Sequence, residues 1–140
     1  MRHPLVLAGY CLVAALALAM PAWGAPSLVG TWFGQGQPGD KQSMYLDHLT
    51  ADGQIHSRFR DCRSGKAIDS TEDGTWSLSG DTLTIEINFH NGQLMPRTDI
   101  YRLESASAKD FKITYVLLNF PYDERRVDDK FDMPSCQLTS

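Results

Sequence analysis

Apolar and polar residues alternate with a period of two along most of this chain, most clearly from Asp73 to His90. Leu83, Ile85, Ile87 and Phe89 fall on one face, with Thr82, Thr84, Glu86 and Asn88 on the other. Successive side chains of an extended backbone point to opposite sides, so such a run marks a strand with one buried face. Gly80-Asp81 interrupts the alternation and predicts a tight turn between two antiparallel strands.

The same pattern recurs in both directions from this hairpin. Leu28–Gly34 predicts a first strand and Ser43–Thr50 a second, with Met44 and Leu46 on one face and Tyr45 and Leu49 on the other. Asp52-Gly53 predicts a two-residue hairpin turn that would set Leu49 opposite His56. The partner strand Gln54–Asp61 divides into Ile55, Ser57 and Phe59 on one face and His56, Arg58 and Arg60 on the other. Arg63 to Asp73 reads as a polar connection. Asn91-Gly92 joins Thr82–His90 to Gln93–Leu103, where Pro96 predicts an edge or a bulge. Asp110–Phe120 is apolar on both faces, as a central or covered strand would be. Asp123–Lys130 alternates in sign and predicts a last exposed strand or a loop. No window of a dozen residues carries the pattern of a capped amphipathic helix. Seven or eight short strands joined by local turns predict an all-β fold, an antiparallel up-and-down β-barrel.

The first 24 residues stand apart from this pattern. Arg2 and His3 precede an apolar run from Leu5 to Met20, a Pro21 breaker and the small residues of Ala22-Trp23-Gly24. The run falls short of the roughly 20 residues that span a bilayer, so residues 1–24 read as a signal peptide and 25–140 as one domain. Export to a periplasm or the cell exterior is the expected localisation. Without Arg2, 12 of the 13 Lys and Arg remain against 17 Asp and Glu, a formal charge of −5. A mildly acidic domain argues against nucleic acid or an anionic membrane as partner. Cys62 and Cys136 are the two cysteines that survive cleavage, and an even pair in an exported chain predicts a disulfide.

The opening Leu28-Val29-Gly30-Thr31-Trp32, an exported chain with Gly-x-Trp on its first strand, resembles the lipocalin-like (calycin) barrels. The resemblance implies that Trp32 plugs the closed end of the barrel, with Gly30 beside it. A bridge from a middle strand to a C-terminal cysteine, as Cys62 and Cys136 would form, is also common in that family. It further implies a binding protein for a small apolar or amphipathic ligand rather than an enzyme, with no cofactor. Gly-Thr-Trp occurs a second time at Gly74-Thr75-Trp76. Trp76 then either starts a second similar half or covers the far end of the barrel, which would leave little room inside.

Candidate chemistry is sparse. The Leu83, Ile85, Ile87 face and Tyr115 are the expected apolar lining of a ligand site. The stripe His56, Arg58, Arg60 has two readings. Facing inward, it would hold a carboxylate or phosphate head group through bidentate arginine. Facing outward, the default for a half-buried strand, it is a solvated surface. His48 and His56 would lie on opposite faces, which predicts no metal site, since zinc needs three or four converging ligands. No Gly-x-Ser-x-Gly elbow supports a catalytic serine. Two functions follow as expectations: a carrier for a small ligand, or an exported protein-interaction module, such as an inhibitor or envelope-assembly component, with a side-chain-filled barrel.

Overall fold

The computed structural model describes residues 27–38, 40–63 and 65–136; the expected signal peptide, residues 1–24, lies outside them. Eight strands follow one another: β1 (Gly30–Gln37), β2 (Asp40–Leu49), β3 (Gln54–Asp61), β4 (Ile68–Ser79), β5 (Thr82–His90), β6 (Gln93–Ala106), β7 (Asp110–Tyr115) and β8 (Phe120–Val127). Each pairs antiparallel with the next, and β8 returns to β1 through Thr31–Val127, Trp32–Arg126 and Phe33–Arg125. The result is a closed up-and-down barrel, so every strand has two neighbours and no edge is left to template aggregation.

One end of the barrel is packed shut. Leu28, Trp32, Leu49, Ile55, Leu83, Phe111 and Ile113 are buried together, and Trp76, Leu78 and Leu103 pack against them. Burial of each large apolar side chain contributes about 1.5–3 kcal/mol. Trp32 lies edge-on to Phe111, with ring centroids 4.6 Å apart, and its Nε1 donates to Leu28 O at 2.7 Å. The Arg126 guanidinium sits 4.1 Å from the Trp32 ring centroid and donates to the carbonyls of Ala108, Val29 and Ser27. Gly30 makes this possible: its φ is +141°, and a Cβ there would stand 2.0 Å from Arg126 Nη1. Trp76 donates from Nε1 to Thr50 O, in the turn after β2, and so lies at the same end as Trp32. The alternative in which it covers the far end is thereby overturned, and the second tryptophan takes no space there.

A second apolar cluster lies outside the barrel. Phe33, Met44 and Leu46 project outward from β1 and β2 and are covered by Met133 and Phe131 of the C-terminal tail. This explains why both faces of β2 carry large apolar residues. Cys62 and Cys136 form a disulfide, Cα–Cα 5.4 Å, which fixes the end of the tail beside β3. Arg125 reinforces the cover, standing about 5 Å from the rings of both Phe33 and Phe131.

Three sequence expectations change. The turn after β2 holds three residues rather than two, closed by Gly53 at φ +85°, so Leu49 pairs with Ile55 and His48 with His56. The two histidines therefore share the outer face instead of lying on opposite ones. Asp110–Phe120 is not one strand: Val116–Asn119 is a turn, with Asn119 at φ +54°, and Phe120 already begins β8. Val116, Leu117 and Leu118 continue the apolar run of β7 into the turn, and Asn119 is its one polar mark. The polar connection before Asp73 is mostly strand, since β4 starts at Ile68 and pairs with β3 down to Asp61. The expected irregularity near Pro96 is present as a register shift between the Ile87–Arg97 and Phe89–Leu94 pairs.

Candidate functional site: an acidic, tyrosine-rimmed cavity

Above the packed end the barrel encloses a cavity of about 310 Å³. This lies at the lower end of the range for small-molecule sites. Its floor is apolar, formed by Leu49, Ile55, Leu83, Ile85, Phe111 and Ile113, with Ile87 and Phe59 continuing the wall. The upper wall carries Tyr45, Tyr101, Tyr115 and Tyr122 together with Asp47, Glu72, Arg97, Asp99 and Glu124. The inward parity of each strand dictates this set. Tyr45, Asp47 and Leu49 alternate on β2, Arg97, Asp99 and Tyr101 on β6, and Tyr122 and Glu124 on β8. Gly34 of β1 also faces in, and the Tyr45 ring occupies its side-chain space: a Cβ would fall 2.1 Å from Tyr45 Cζ.

The charged groups fall into two sets. Arg97 donates from Nη1 and Nη2 to the two oxygens of Glu72, both at 2.7 Å, and from Nε to Asp99 Oδ2 at 2.8 Å. His90 Nδ1 adds a contact to Glu72 at 3.1 Å. These bonds tie β4, β5 and β6 together. Asp47 and Glu124 have no such partners. Asp47 Oδ1 and Glu124 Oε2 are sealed from solvent and find no hydrogen-bond donor among the described residues. Burial, with a smaller contribution from the Glu72 charge, raises the Asp47 carboxyl to about 6 against moderation by the Ser57 hydroxyl facing it on β3. Burial and then the charge of Asp47 push Glu124 well above the ordinary carboxylate range. Burial also lifts the Tyr45 and Tyr101 phenols, with neighbouring carboxylates adding to it, so both stay protonated at any physiological pH.

Of the residues singled out from the sequence, Leu83, Ile85, Ile87 and Tyr115 are brought together on the cavity wall. His56, Arg58 and Arg60 are not: the stripe takes its outward alternative. His56 Nδ1 meets Asp73 Oδ1 at 2.6 Å. Arg60 makes two 2.7 Å bonds to Asp69 and donates to the Met133 and Pro134 carbonyls of the tail. Arg58 is exposed. Replacing Arg58 by alanine is accordingly expected to shift the urea midpoint by no more than about 0.5 kcal/mol equivalent, the range of ordinary surface changes. A loss of several times that would place Arg58 in the structure's support.

The lining is the reverse of a cationic one: four acidic side chains against one guanidinium. Asp47 alternates with Tyr45 and Leu49, but Met44 and Leu46 make the other face of β2 apolar as well, so parity alone does not mark it as inward. Glu72 sits in a polar stretch with no contrasting neighbour and gives no signal either. Among the described residues no cluster of three or more His, Cys, Asp or Glu is placed to hold a metal ion. No protein-family model and no curated protein matches the chain. The closed eight-stranded antiparallel barrel is compatible with the lipocalin-like architecture.

Proposed function

We propose that this protein is an exported, non-catalytic binding protein of lipocalin-like type that carries or senses one small amphipathic ligand inside its barrel. The observation that supports this reading is the cavity of about 310 Å³, floored by apolar side chains and walled above by convergent polar groups. An eight-stranded barrel is just wide enough either to fill itself or to hold one small molecule. Here both tryptophans pack at one end, and room remains above them. Arg97, at the other end, keeps 43% of its side chain exposed, which offers a route to solvent. The Cys62–Cys136 bridge is consistent with an oxidising compartment such as a periplasm or the cell exterior.

Native mass spectrometry of the protein purified from the cells that make it tests the reading. A bound small molecule is expected, and Ile85→Trp, which fills the cavity from its floor, is expected to abolish it. The absence of any bound molecule, together with no binding across a panel of small amphiphiles, would count decisively against a carrier.

One observation favours a second reading, a protein-interaction module. Leu94 and Met95 near the start of β6, and Val116, Leu117, Leu118 and Phe120 at the β7–β8 turn, are all exposed and flank the open end. Isolated exposed apolar residues are ordinary, but Val116, Leu117, Leu118 and Phe120 gathered in one turn offer an apolar contact surface. A co-purifying protein lost in Leu117→Asp, with no small molecule present, would support this alternative.

A further inference from the structure

Asp47 and Glu124 need something that the barrel itself does not supply. The one guanidinium on the cavity wall among the described residues, Arg97, has all its bonding directed at Glu72 and Asp99. Those two acids are thereby matched in charge and geometry. Asp47 on β2 and Glu124 on β8 stand on the strands flanking β1, each with a buried oxygen that has no donor. Glu124 is only 4% exposed. Taking a carboxylate out of water without a partner is strongly unfavourable, and a buried acid is retained in a stable fold only if it is neutralised or paired.

Resting on the ligand-binding reading, we propose that the cavity selects a small amphipathic cation: an ammonium or guanidinium head group on a compact apolar body. The head donates hydrogen bonds to Asp47 and Glu124, and the body packs against Leu83, Ile85 and Ile87. An ammonium brings three donors and no acceptor, the complement of ionised carboxylates. Aromatic rings complete the enclosure: the Tyr45–Tyr122 and Tyr101–Tyr122 centroid distances are both 6.2 Å, with the rings near perpendicular. A cation beside such rings gains further from their π faces. An anionic head in the same place would meet the excess of acid over base left by Glu72, Asp99 and Arg97, and would gain no charge pairing from Asp47 or Glu124. Burial holds Asp47 and Glu124 towards their neutral forms, and a docked cation draws both back to the charged form.

The test uses three ligands of nearly the same body and size but different head charge: 2-phenylethylamine, 2-phenylethanol and phenylacetate. Their affinities for the wild-type protein are measured by titration calorimetry at pH 7, where the amine is protonated. The amine is expected to bind about tenfold or more tighter than the alcohol, the difference between a charge-assisted and a neutral hydrogen bond, with phenylacetate weakest. In Asp47→Asn/Glu124→Gln, with folding checked by circular dichroism, the amine-to-alcohol preference is expected to collapse to about threefold or less. Alcohol bound as tightly as amine in the wild type would mean that the acids stay neutral in the complex, and would overturn the cation inference while leaving the cavity as a binding site. Phenylacetate bound tightest would overturn it equally. Failure of all three to bind would overturn the ligand-binding reading as well.

Discussion

Raising the pH from about 4 to 8 is expected to weaken this protein, with the Asp47→Asn/Glu124→Gln variant largely spared. The Asp47 carboxyl moves from an ordinary 3.8 to about 6 on folding, because burial penalises its charged form. A group whose folded value is raised contributes stability that is complete below its unfolded value and lost as the pH climbs through the folded one. For Asp47 that window runs from about 4 to 6, and the loss is about 3 kcal/mol at 1.36 kcal/mol per unit. Glu124 is shifted in the same direction by burial and the Asp47 charge, so its share is also lost as the pH rises. Asp61, Asp69 and Glu104 act with the opposite sign. Their hydrogen-bonded arginine partners, and Thr114 at Glu104, hold them below the ordinary range, so their contribution is lost as the pH falls. These pairs are exposed and solvent-screened, which keeps them minor. Stability is therefore expected to peak in weak acid, near pH 4, where the buried acids are still neutral and the surface pairs are charged. Urea denaturation across pH 3–9 measures this. A wild-type stability that stays level or rises between pH 5 and 8, or an equal fall in the double amide variant, would refute the role given to these two acids. A ligand cation should flatten the same curve, because it removes the reason for the acids to stay neutral.

Reduction of Cys62–Cys136 is expected to cost about 4 kcal/mol, from the chain entropy of the loop spanning 74 residues. Against a total of 5–15 kcal/mol for typical domains, that is a large share. The loss should be uneven. The barrel is closed by its own strand pairs, whereas the tail is held by the bridge, the Arg60 bonds and the Phe131 and Met133 contacts. Cys62→Ser/Cys136→Ser should therefore expose Phe33, Met44 and Leu46, and bind an apolar dye, before the strands lose amide protection. A urea midpoint that moves by less than about 1 kcal/mol equivalent, with tail amides still protected, would show that the outer cluster holds without the bridge.

These two effects come from different layers of the molecule, and the sequence disclosed them unequally. The disulfide partner could be read directly, because only Cys62 and Cys136 follow the apolar N-terminal run. The acids could not. Asp47 shares an inward parity with Tyr45 and Leu49, but β2 also carries Met44 and Leu46 on its other face, so the pattern alone does not say which side is the interior. The C-terminal tail settles it by covering the outward pair. In β3 the apolar Ile55 and Phe59 contrast with the His56, Arg58, Arg60 stripe, and there the outward default was right. Where contrast was absent, as from Ile68 to Asp73, the strand itself was missed, and Glu72 with it.

The sequence by itself determined the all-β class, the order of the strands, most of their turns and the apolar lining face of Leu83, Ile85 and Ile87. Those features follow from local geometry: side chains alternate along an extended backbone, and Asn-Gly, Gly-Asp and Asp-Gly favour tight reversals. Only the tertiary structure decided that Trp32 and Trp76 pack at one end, that space remains above them, and that the space is acidic. These depend on how the strands are staggered around the closed barrel, which sets the residues from distant strands that meet at one level. Asp47 and Glu124 are 77 positions apart in the chain and become a pair only when β8 closes against β1.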